Sequence, residues 1–361
     1  MSESTPAPPR TPPRSGIVTL PLSDAIWRSF DTIIDVRTPA EFALDQIPGA
    51  DNFPVLSNDE RIAIGTRYKA SPFEAKRHGA ALVARHIAAH IETAFADKPR
   101  TWKPLIYCWR GGARSGAMTH IFRSIGWNAQ QLSGGYKAWR ADMLTEMETL
   151  PAKFTYRVIC GRTGSGKSRL LEALERAGTQ VLDLEKLAAH KGSVLGNLPG
   201  CAQPSQKMFE SRVWATLKTF DPARPVYVEA ESKKVGECRV PEPLITRMWE
   251  GQCYEVVTSE RLRVQLLREE YAHLIADPLL LFSKLDCLKA LHSTEQISHW
   301  KTLATAGDWD TFVADMLTNH YDPAYTRSMF RNYAHANSAE KLIANRVSEA
   351  GFNALAHTLS T

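Results

Sequence analysis

Short apolar runs alternate with segments of helical period along the first 150 residues of the chain. β-branched and other apolar residues cluster at positions 17–20, 32–36 and 104–107, which predicts three strands. Between the second and third runs, residues 80–95 repeat apolar side chains at the spacing of an amphipathic helix, and residues 135–149 form another helical segment. Strands that alternate with helices favour a parallel sheet with helices on both faces.

A second series of strands begins after residue 150. Its apolar runs lie at 155–160, 181–184, 225–229 and 253–257, and from residue 259 onward the period is almost purely helical. We therefore expect an α/β fold with four segments. They are a disordered tail rich in proline over residues 1–15, a parallel-sheet domain over 16–145, a second α/β domain over 155–258 and a helical extension over 259–361.

Composition narrows the classes of protein that remain. A chain of 361 residues with 43% hydrophobic and 23% charged residues is typical of two or three globular domains. No apolar run approaches the roughly 20 residues of a membrane span, so we expect a soluble, cytoplasmic chain with no membrane partner. The net charge of +5 permits a polyanionic partner without demanding one. Six cysteines occur singly, which argues against a zinc ribbon or a disulfide framework.

One of these cysteines lies in a loop suited to nucleophilic chemistry. Cys108 follows the strand at 104–107 and is followed by Gly111, Gly112, Arg114 and a helical segment at 116–125. Two glycines let the loop curl so that backbone N–H groups converge on the sulfur. Those groups, Arg114 and the helix N-terminus would stabilise a thiolate and an anion bound to it. The order of these features predicts that Cys108 is a nucleophile.

A second loop predicts a phosphate site. Residues 161–168 read G-R-T-G-S-G-K-S, which fits the pattern G-x-x-x-x-G-K-[ST] between a strand and a helix. The residues expected to hold a diphosphate are Gly161, Gly164, Ser165, Gly166, Lys167 and Ser168, and Ser168 is the expected ligand of Mg²⁺. Glu229 ends the strand at 225–229 and is a candidate for a second metal or water position, with a solvated turn an equal alternative.

The first domain resembles the rhodanese (sulfurtransferase) family over residues 17 to about 140. Three segments carry the resemblance: 35–50 with Asp35 and Arg37, 108–115 with Cys108, Arg110 and Arg114, and 132–139. The resemblance implies that Cys108 carries a terminal sulfur or selenium and that the four other residues belong to its catalytic site. For Asp35 and Arg37, the alternative is that they only brace the loop at the sheet edge. Five residues separate Cys108 from Arg114, where rhodaneses usually have four. That spacing is also similar to the loop of cysteine phosphatases, and a wider cradle suits a phosphate-like donor.

A rhodanese-like domain followed by a P-loop domain resembles the family of bacterial tRNA 2-selenouridine synthases. Further segments at 58–61, 65–69, 190–193, 203–207 and 321–325 share this resemblance. It implies that 2-thiouridine at the wobble position of tRNA becomes 2-selenouridine through an S-geranyl intermediate. The cosubstrates would be geranyl diphosphate and selenophosphate, the partner would be the anticodon region of tRNA, and the P-loop would hold geranyl diphosphate.

Two other functions remain open from the sequence. One is an ATP-dependent rhodanese-type sulfurtransferase or kinase fusion that acts on RNA, since most loops of this pattern bind a nucleoside triphosphate. The other is a non-catalytic, nucleotide-gated RNA-binding protein whose cysteine is a sensor. A requirement for ATP would favour the first, and retained RNA modification in a Cys108→Ser variant would favour the second.

Overall fold

The computed structural model describes residues 16–360, which divide into two compact units between Glu146 and Met147. The predicted disordered tail at 1–15 lies outside the described residues. The helices and strands that begin in the first unit are β1 (Ile17–Val18), α1 (Asp24–Trp27), β2 (Thr32–Asp35), α2 (Pro39–Leu44), β3 (Ala50–Asn52), α3 (Asn58–Ala70), α4 (Pro72–Glu92), β4 (Pro104–Tyr107), α5 (Ala113–Ile125), β5 (Gln130–Leu132) and α6 (Gly135–Met147).

The first unit is built on a five-stranded parallel sheet of order β1-β5-β4-β2-β3. All four residues of the central strand β4 are buried, which is why that strand reads as an uninterrupted apolar run. Its neighbour β2 places Ile34 opposite Ile106 and Asp35 opposite Tyr107. Cys108 therefore leaves the sheet at the carboxyl end of its central strand.

Two consecutive helices, α3 and α4, pack against each other beside this sheet. Ser57 and Glu60 form a capping box at the start of α3, and Ser71 caps α4 immediately before Pro72. The predicted helix at 80–95 thus begins eight residues earlier, and α3 is an element that the apolar spacing did not predict. The side chains of α3 explain this miss, because none of its residues is fully buried.

The second unit contains the remaining elements. They are β6 (Tyr156–Cys160), α7 (Lys167–Arg176), β7 (Gln180–Leu182), α8 (Leu184–Ala188), α9 (Gln206–Lys218), β8 (Val226–Glu229), β9 (Lys234–Val235), β10 (Cys238–Arg239), α10 (Glu242–Trp249), β11 (Gln252–Val257), α11 (Glu260–Glu270), α12 (Ala272–Ala276), α13 (Pro278–Asp286), α14 (Thr294–Ala306), α15 (Trp309–Met316), α16 (Asp322–Asn332), β12 (Glu340–Ile343) and α17 (Glu349–Ser360). A π-helical turn over Leu317–Tyr321 joins α15 to α16.

A second parallel sheet, of order β12-β11-β6-β8-β7, forms the centre of this unit. With two parallel sheets flanked by helices, the predicted α/β fold class is confirmed. The predicted helical C-terminal region is confirmed by α11 to α17, but one strand lies within it. Strand β12 pairs with β11, and α17 packs on α7, so the end of the chain returns to the second sheet. The sequence hid this return because β12 has four residues of which only Leu342 is buried.

The intervening helices α12 to α15 have an apolar core of their own. Trp300 is completely buried at its centre, with Leu281, Leu285, Phe312 and Met316 packed around it. None of the helices within residues 16–360 has the length and hydropathy that crossing a lipid bilayer requires.

Two candidate active sites, one in each unit

The loop after β4 folds back tightly over the segment that precedes α6. Gly111 has φ +62°, and a Cβ on it would lie 2.5 Å from the carbonyl oxygen of Leu132. Gly135 has φ +55°, and a Cβ there would collide with the carbonyl oxygen of Cys108. Only glycine combines this left-handed backbone with such close approach. The two glycines therefore let the loop close around the thiol of Cys108.

Donors of the loop and of α5 point at this thiol. The backbone N–H of Gly112 and the hydroxyl of Ser115 each donate to Cys108 Sγ over 3.2 Å. Gln131 Nε2 in turn donates to Ser115 Oγ over 2.9 Å and to the carbonyl oxygen of Gly111 over 2.7 Å. Ser115 and Gln131 were not among the predicted site residues. The position of Ser115 in the first turn of the helix after the loop was the available signal.

Hydrogen bonding decides the acidity of the thiol. Burial of Cys108 raises its pKa, but the Ser115 hydroxyl and the backbone N–H groups of Ser115, Arg110 and Gly112 lower it more. The net effect is a pKa below the ordinary value for cysteine. Because the thiolate is the nucleophilic form, these hydrogen bonds favour the reactive form of Cys108, and its role as a nucleophile stays a prediction.

The two predicted loop arginines take different positions. Arg114 forms an ion pair with Glu41, with Nη1 to Oε2 at 2.8 Å, while the exposed Arg110 contributes its backbone N–H to the thiol. Burial raises the pKa of Glu41, but Arg114 and other donors bring it below the ordinary value, so Glu41 stays ionised. Both arginines line the groove that contains Cys108. Arg114 is thus held at the groove by a carboxylate and keeps further N–H donors for an anion.

Asp35 and Arg37, the other two predicted catalytic residues, have a structural role. Both are fully buried, and Arg37 Nε and Nη2 donate to the Asp35 carboxylate at 3.0 and 2.6 Å. Arg37 Nη2 also donates to the carbonyl oxygen of Asp45, and its guanidinium lies 4.1 Å from the centre of the Tyr136 ring. The pair braces the sheet edge and the start of α6. The structure favours the alternative that this pair braces the loop, and its place in the catalytic site stays a prediction.

In the second unit, the P-loop joins β6 to the N-terminus of α7. Gly164, Gly166, Lys167 and Ser168 line a cavity of about 380 Å³. Lys167 Nζ donates to the carbonyl oxygen of Gly161 over 2.8 Å, and Ser168 Oγ donates to Glu185 over 3.1 Å. Backbone N–H groups at a helix N-terminus, together with a lysine and a serine, form an anion site. Four of the predicted phosphate-binding residues are thus brought together.

Gly161 and Ser165, also predicted to bind phosphate, are not among the residues that line this cavity. The backbone N–H of Gly161 donates to the hydroxyl of Tyr325 over 2.6 Å. Ser165 is buried, and its hydroxyl has no hydrogen-bond partner among residues 16–360. Tyr325 belongs to the segment 321–325, which shares the family resemblance but was not predicted to contact the P-loop. In the same segment, Asp322 pairs with Arg263, which donates to the carbonyl oxygen of Thr163. These contacts hold the P-loop against α11 and α16.

Acidic side chains surround the P-loop on the side of β7 and β8. Glu229 lies below the cavity, completely buried, and accepts from the backbone N–H of Glu185 over 2.8 Å. The acidic residues that line the cavity are Glu185, Glu231 and Glu270. Glu229 is not among them, but its Oε2 has no hydrogen-bond partner among the described residues, so its assignment to a second metal or water position stays a prediction. Glu185 and Glu231 stand three and two residues past the end of a strand, which is a sequence signal for acids at this edge of the sheet.

Burial makes these carboxyl groups weak acids. It raises the pKa of Glu229 well above the ordinary value, and Asp183 and Glu185 raise it further. Burial, followed by repulsion from Glu185, raises the pKa of Glu231 to about 8. The cavity at Lys167 therefore combines a cationic phosphate site with the carboxyl group of Glu231, whose raised pKa favours the protonated form at neutral pH.

The cavity also has an aromatic and apolar side. Four tyrosines line it: Tyr271, Tyr321, Tyr325 and Tyr333. Lys167 Nζ lies 5.8 Å from the centre of the Tyr325 ring, and Lys191 Nζ lies 5.7 Å from that of Tyr271. Beyond Leu267, Tyr271 and Tyr321, a narrow apolar cavity of about 50 Å³ continues among the side chains of Leu195, Leu274, Leu281, Phe312, Met316 and Leu317. The P-loop site is therefore adjacent to an apolar pocket.

Both units match known families. A profile described as rhodanese-like domain matches residues 21–142, and a profile described as tRNA 2-selenouridine synthase AAA domain matches residues 154–280. Among curated proteins, the chain is 36% identical over 246 residues to a tRNA 2-selenouridine synthase of Alcanivorax borkumensis, covering 66% of each chain. It is 32% identical over 261 residues to one of Aeromonas salmonicida, covering 70% of this chain and 69% of the relative.

A third similar protein, from Sulfurovum sp., extends the match along the chain. Its tRNA 2-selenouridine synthase is 29% identical over 330 residues, covering 83% of this chain and 89% of the relative. In the first two comparisons, the chain spans about two thirds of the length of the relatives that it matches. The two profile matches include Cys108 in the first unit and the P-loop in the second.

Proposed function

Since the chain belongs to the tRNA 2-selenouridine synthase family, we propose that it is a transferase that converts 2-thiouridine to 2-selenouridine at the wobble position of tRNA. The conversion proceeds in two steps. In the first, the second unit transfers a geranyl group from geranyl diphosphate to the 2-thio sulfur. In the second, the first unit replaces the S-geranyl group with selenium that selenophosphate supplies.

The first step is supported by a diphosphate site that lies next to an apolar pocket. Lys167, Ser168 and the N-terminus of α7 supply the charge and N–H donors for a diphosphate. The pocket lined by Leu267, Leu274 and Phe312 lies beside the phosphate site and offers an apolar environment for a prenyl chain. This combination favours geranyl diphosphate over ATP as the ligand.

Oxygen donors around Ser168 fit Mg²⁺. Mg²⁺ binds oxygen ligands and is commonly held by one or two protein groups together with substrate phosphates. Ser168 Oγ and the Glu185 carboxylate lie 3.1 Å apart, and Oε2 of the buried Glu229 has no hydrogen-bond partner among the described residues. When bound there by Ser168 and Glu185, Mg²⁺ supplies positive charge to the departing diphosphate. No cage of three or more His, Cys, Asp or Glu side chains occurs within residues 16–360, so substrate phosphates would complete the coordination.

The activated thiol supports the second step. Cys108 has a lowered pKa, and the groove around it contains Arg110 and Arg114. An anion cradle of this kind suits a phosphate-bearing donor, and the arginines hold the phosphate group of selenophosphate. Its selenium forms a bond to C2 of the uridine as geranyl thiol leaves, and the Cys108 thiolate then takes the phosphoryl group from selenium before water releases it as phosphate. S-alkylation of the 2-thio group converts it into a better leaving group, which explains why geranyl transfer precedes selenium transfer.

Two variants of the full chain test this assignment. The reaction contains 2-thiouridine tRNA, geranyl diphosphate and selenophosphate, and nucleosides are quantified by mass spectrometry after digestion. Cys108→Ala should accumulate S-geranyl-2-thiouridine and form no 2-selenouridine. Lys167→Ala should leave 2-thiouridine unchanged but convert tRNA that already carries the S-geranyl group. The exposed residues Cys201 and Lys289 provide the matched controls Cys201→Ala and Lys289→Ala.

Two results would overturn the proposal. Normal formation of 2-selenouridine by Cys108→Ala would remove this residue from the selenium transfer. Geranylation that requires ATP hydrolysis, or that survives Lys167→Ala, would place a nucleotide in the P-loop and favour the ATP-dependent alternative.

A further inference from the structure

An apolar groove of about 720 Å³ runs beside the thiol of Cys108 in the first unit. Helices α3, α4 and α5 form its walls. Its floor is aliphatic, with contributions from Leu56, Ile64, Val83, Ile87, Ala117 and Ile121. Leu56, Val83 and Ile87 belong to the buried core of the unit, and the other three side chains pack against that core. The groove therefore gives a ligand access to the edge of the apolar core beside the Cys108 thiol.

The selenium donor does not account for this surface. A phosphate-like anion binds through N–H donors and cationic side chains, which the Cys108 loop already supplies. A pyrimidine ring presents polar edges and is smaller than the groove. Exposed apolar surfaces of this kind on a folded protein mark binding sites for apolar ligands or partners.

The rim of the groove has the opposite character. Arg61, Lys76 and Arg110 line it and are exposed, and Arg114 lies beside the thiol. Tyr68, half exposed, also lines it. A rim of cations attracts the phosphates of an RNA backbone, and a tyrosine ring can stack on a base. The groove thus fits a ligand in which an apolar chain is attached to an anionic polymer.

We propose that this groove binds the geranyl chain of the S-geranylated wobble uridine during selenium transfer. The inference rests on the proposed function, since the geranyl group exists only if the first step occurs. The S-geranyl substituent lies along the aliphatic floor, its sulfur end lies toward Cys108, and the cationic rim holds the adjoining phosphates. The first unit therefore selects prenylated uridine over 2-thiouridine by binding the group that is about to leave.

Alkylation of Cys108 by iodoacetamide gives a local measure of occupancy. The nucleosides S-geranyl-2-thiouridine and S-methyl-2-thiouridine are compared as protecting ligands, and mass spectrometry of the Cys108 peptide follows the reaction in the full chain. We expect the S-geranyl nucleoside to protect Cys108 at a concentration at least about tenfold lower than the S-methyl nucleoside. Because the readout is confined to Cys108, binding at the P-loop does not affect it.

Two exposed alanines of α4 provide a matched pair of variants. Ala84 lines the groove, whereas Ala81 is exposed on the same helix outside it. Ala84→Phe should fill the groove and abolish the tenfold preference for the geranyl group. Ala81→Phe should retain the preference. Each variant's alkylation rate without nucleoside is the reference for its own protection.

Equal protection by the two nucleosides, or an unchanged preference in Ala84→Phe, would overturn the inference. The proposed function fails by a different result, namely that the wild-type chain does not convert S-geranylated tRNA to 2-selenouridine with selenophosphate. A chain that forms 2-selenouridine but shows no geranyl preference at Cys108 would therefore refute only the groove.

Discussion

At the scale of single residues, Ser115 controls the reactivity of Cys108. Its hydroxyl lies 3.2 Å from Sγ and is oriented by Gln131. We expect Ser115→Ala to raise the pKa of the thiol, because a donor to the thiolate is lost while burial persists. A rise of about one pH unit would reduce alkylation by iodoacetamide about tenfold at a pH below both values, since only the thiolate reacts.

The measurement is the rate of alkylation of the Cys108 peptide between pH 5.5 and 9.5. Wild-type chain should reach half its maximal rate at a lower pH than Ser115→Ala. Ser124 provides the control, since it lies on the same helix and its hydroxyl donates to the carbonyl oxygen of His120. An identical midpoint in wild type and Ser115→Ala would show that backbone donors alone set the acidity of the thiol.

Residues within one strand-loop-helix segment could be predicted from sequence, and residues joined across segments could not. Cys108 and Lys167 stand in loops whose glycines and following helices are local in the chain, so their pattern is visible. Glu185, by contrast, reaches Ser168 from another strand end, and Tyr325 reaches Gly161 across 164 positions. The sequence left open whether Asp35 and Arg37 brace the loop or take part in catalysis, because the burial that favours the bracing role depends on the surrounding fold.

At the scale of elements, the P-loop depends on the last helix of the chain. Phe352 of α17 is buried, and a Cβ added to Gly166 would collide with its ring. Because β12 and α17 come after a long helical stretch, the sequence pattern indicated an extension where the structure has the edge of the second sheet. The helical period was correctly predicted, but the pairing of β12 with β11 is a tertiary contact with no local signal.

Phe352→Ala tests this dependence. Removing a buried phenylalanine ring typically costs 3–5 kcal/mol, as the loss of apolar burial adds to the cavity left behind. We expect a loss of about 3 kcal/mol, seen as faster hydrogen exchange of amides in β6 and α7 and as weaker binding of geranyl diphosphate. The exposed neighbour provides Asn353→Ala, for which a change within about 0.5 kcal/mol is expected. Equal protection of α7 in both variants would show that α17 only covers the loop.

At the scale of the whole molecule, each unit contains one of the two loops that the proposed two-step reaction uses. Cys108, its donors and its groove all belong to the first unit, and the P-loop with its carboxyl groups and apolar pocket belongs to the second. The net charge is +5, and the sequence has no single long run of basic residues. We therefore expect the contacts to tRNA to be spread over the surface and the affinity to fall as salt rises, because counterion release then contributes less. Because such contacts are weak individually, we expect tRNA to dissociate between the two steps.

Mixing two inactive variants tests whether the intermediate passes through solution. Cys108→Ala should still form S-geranylated tRNA, and Lys167→Ala should still convert it, so the mixture should produce 2-selenouridine that neither chain produces alone. Since S-geranyl-2-thiouridine is covalently part of the tRNA, it survives dissociation from one chain and binding to another. Moderate salt should increase the yield of the mixture relative to wild type, because faster release of tRNA favours exchange. If each variant completes its own half-reaction but the mixture yields no 2-selenouridine, the intermediate is passed on without release, and both loops must act within one chain.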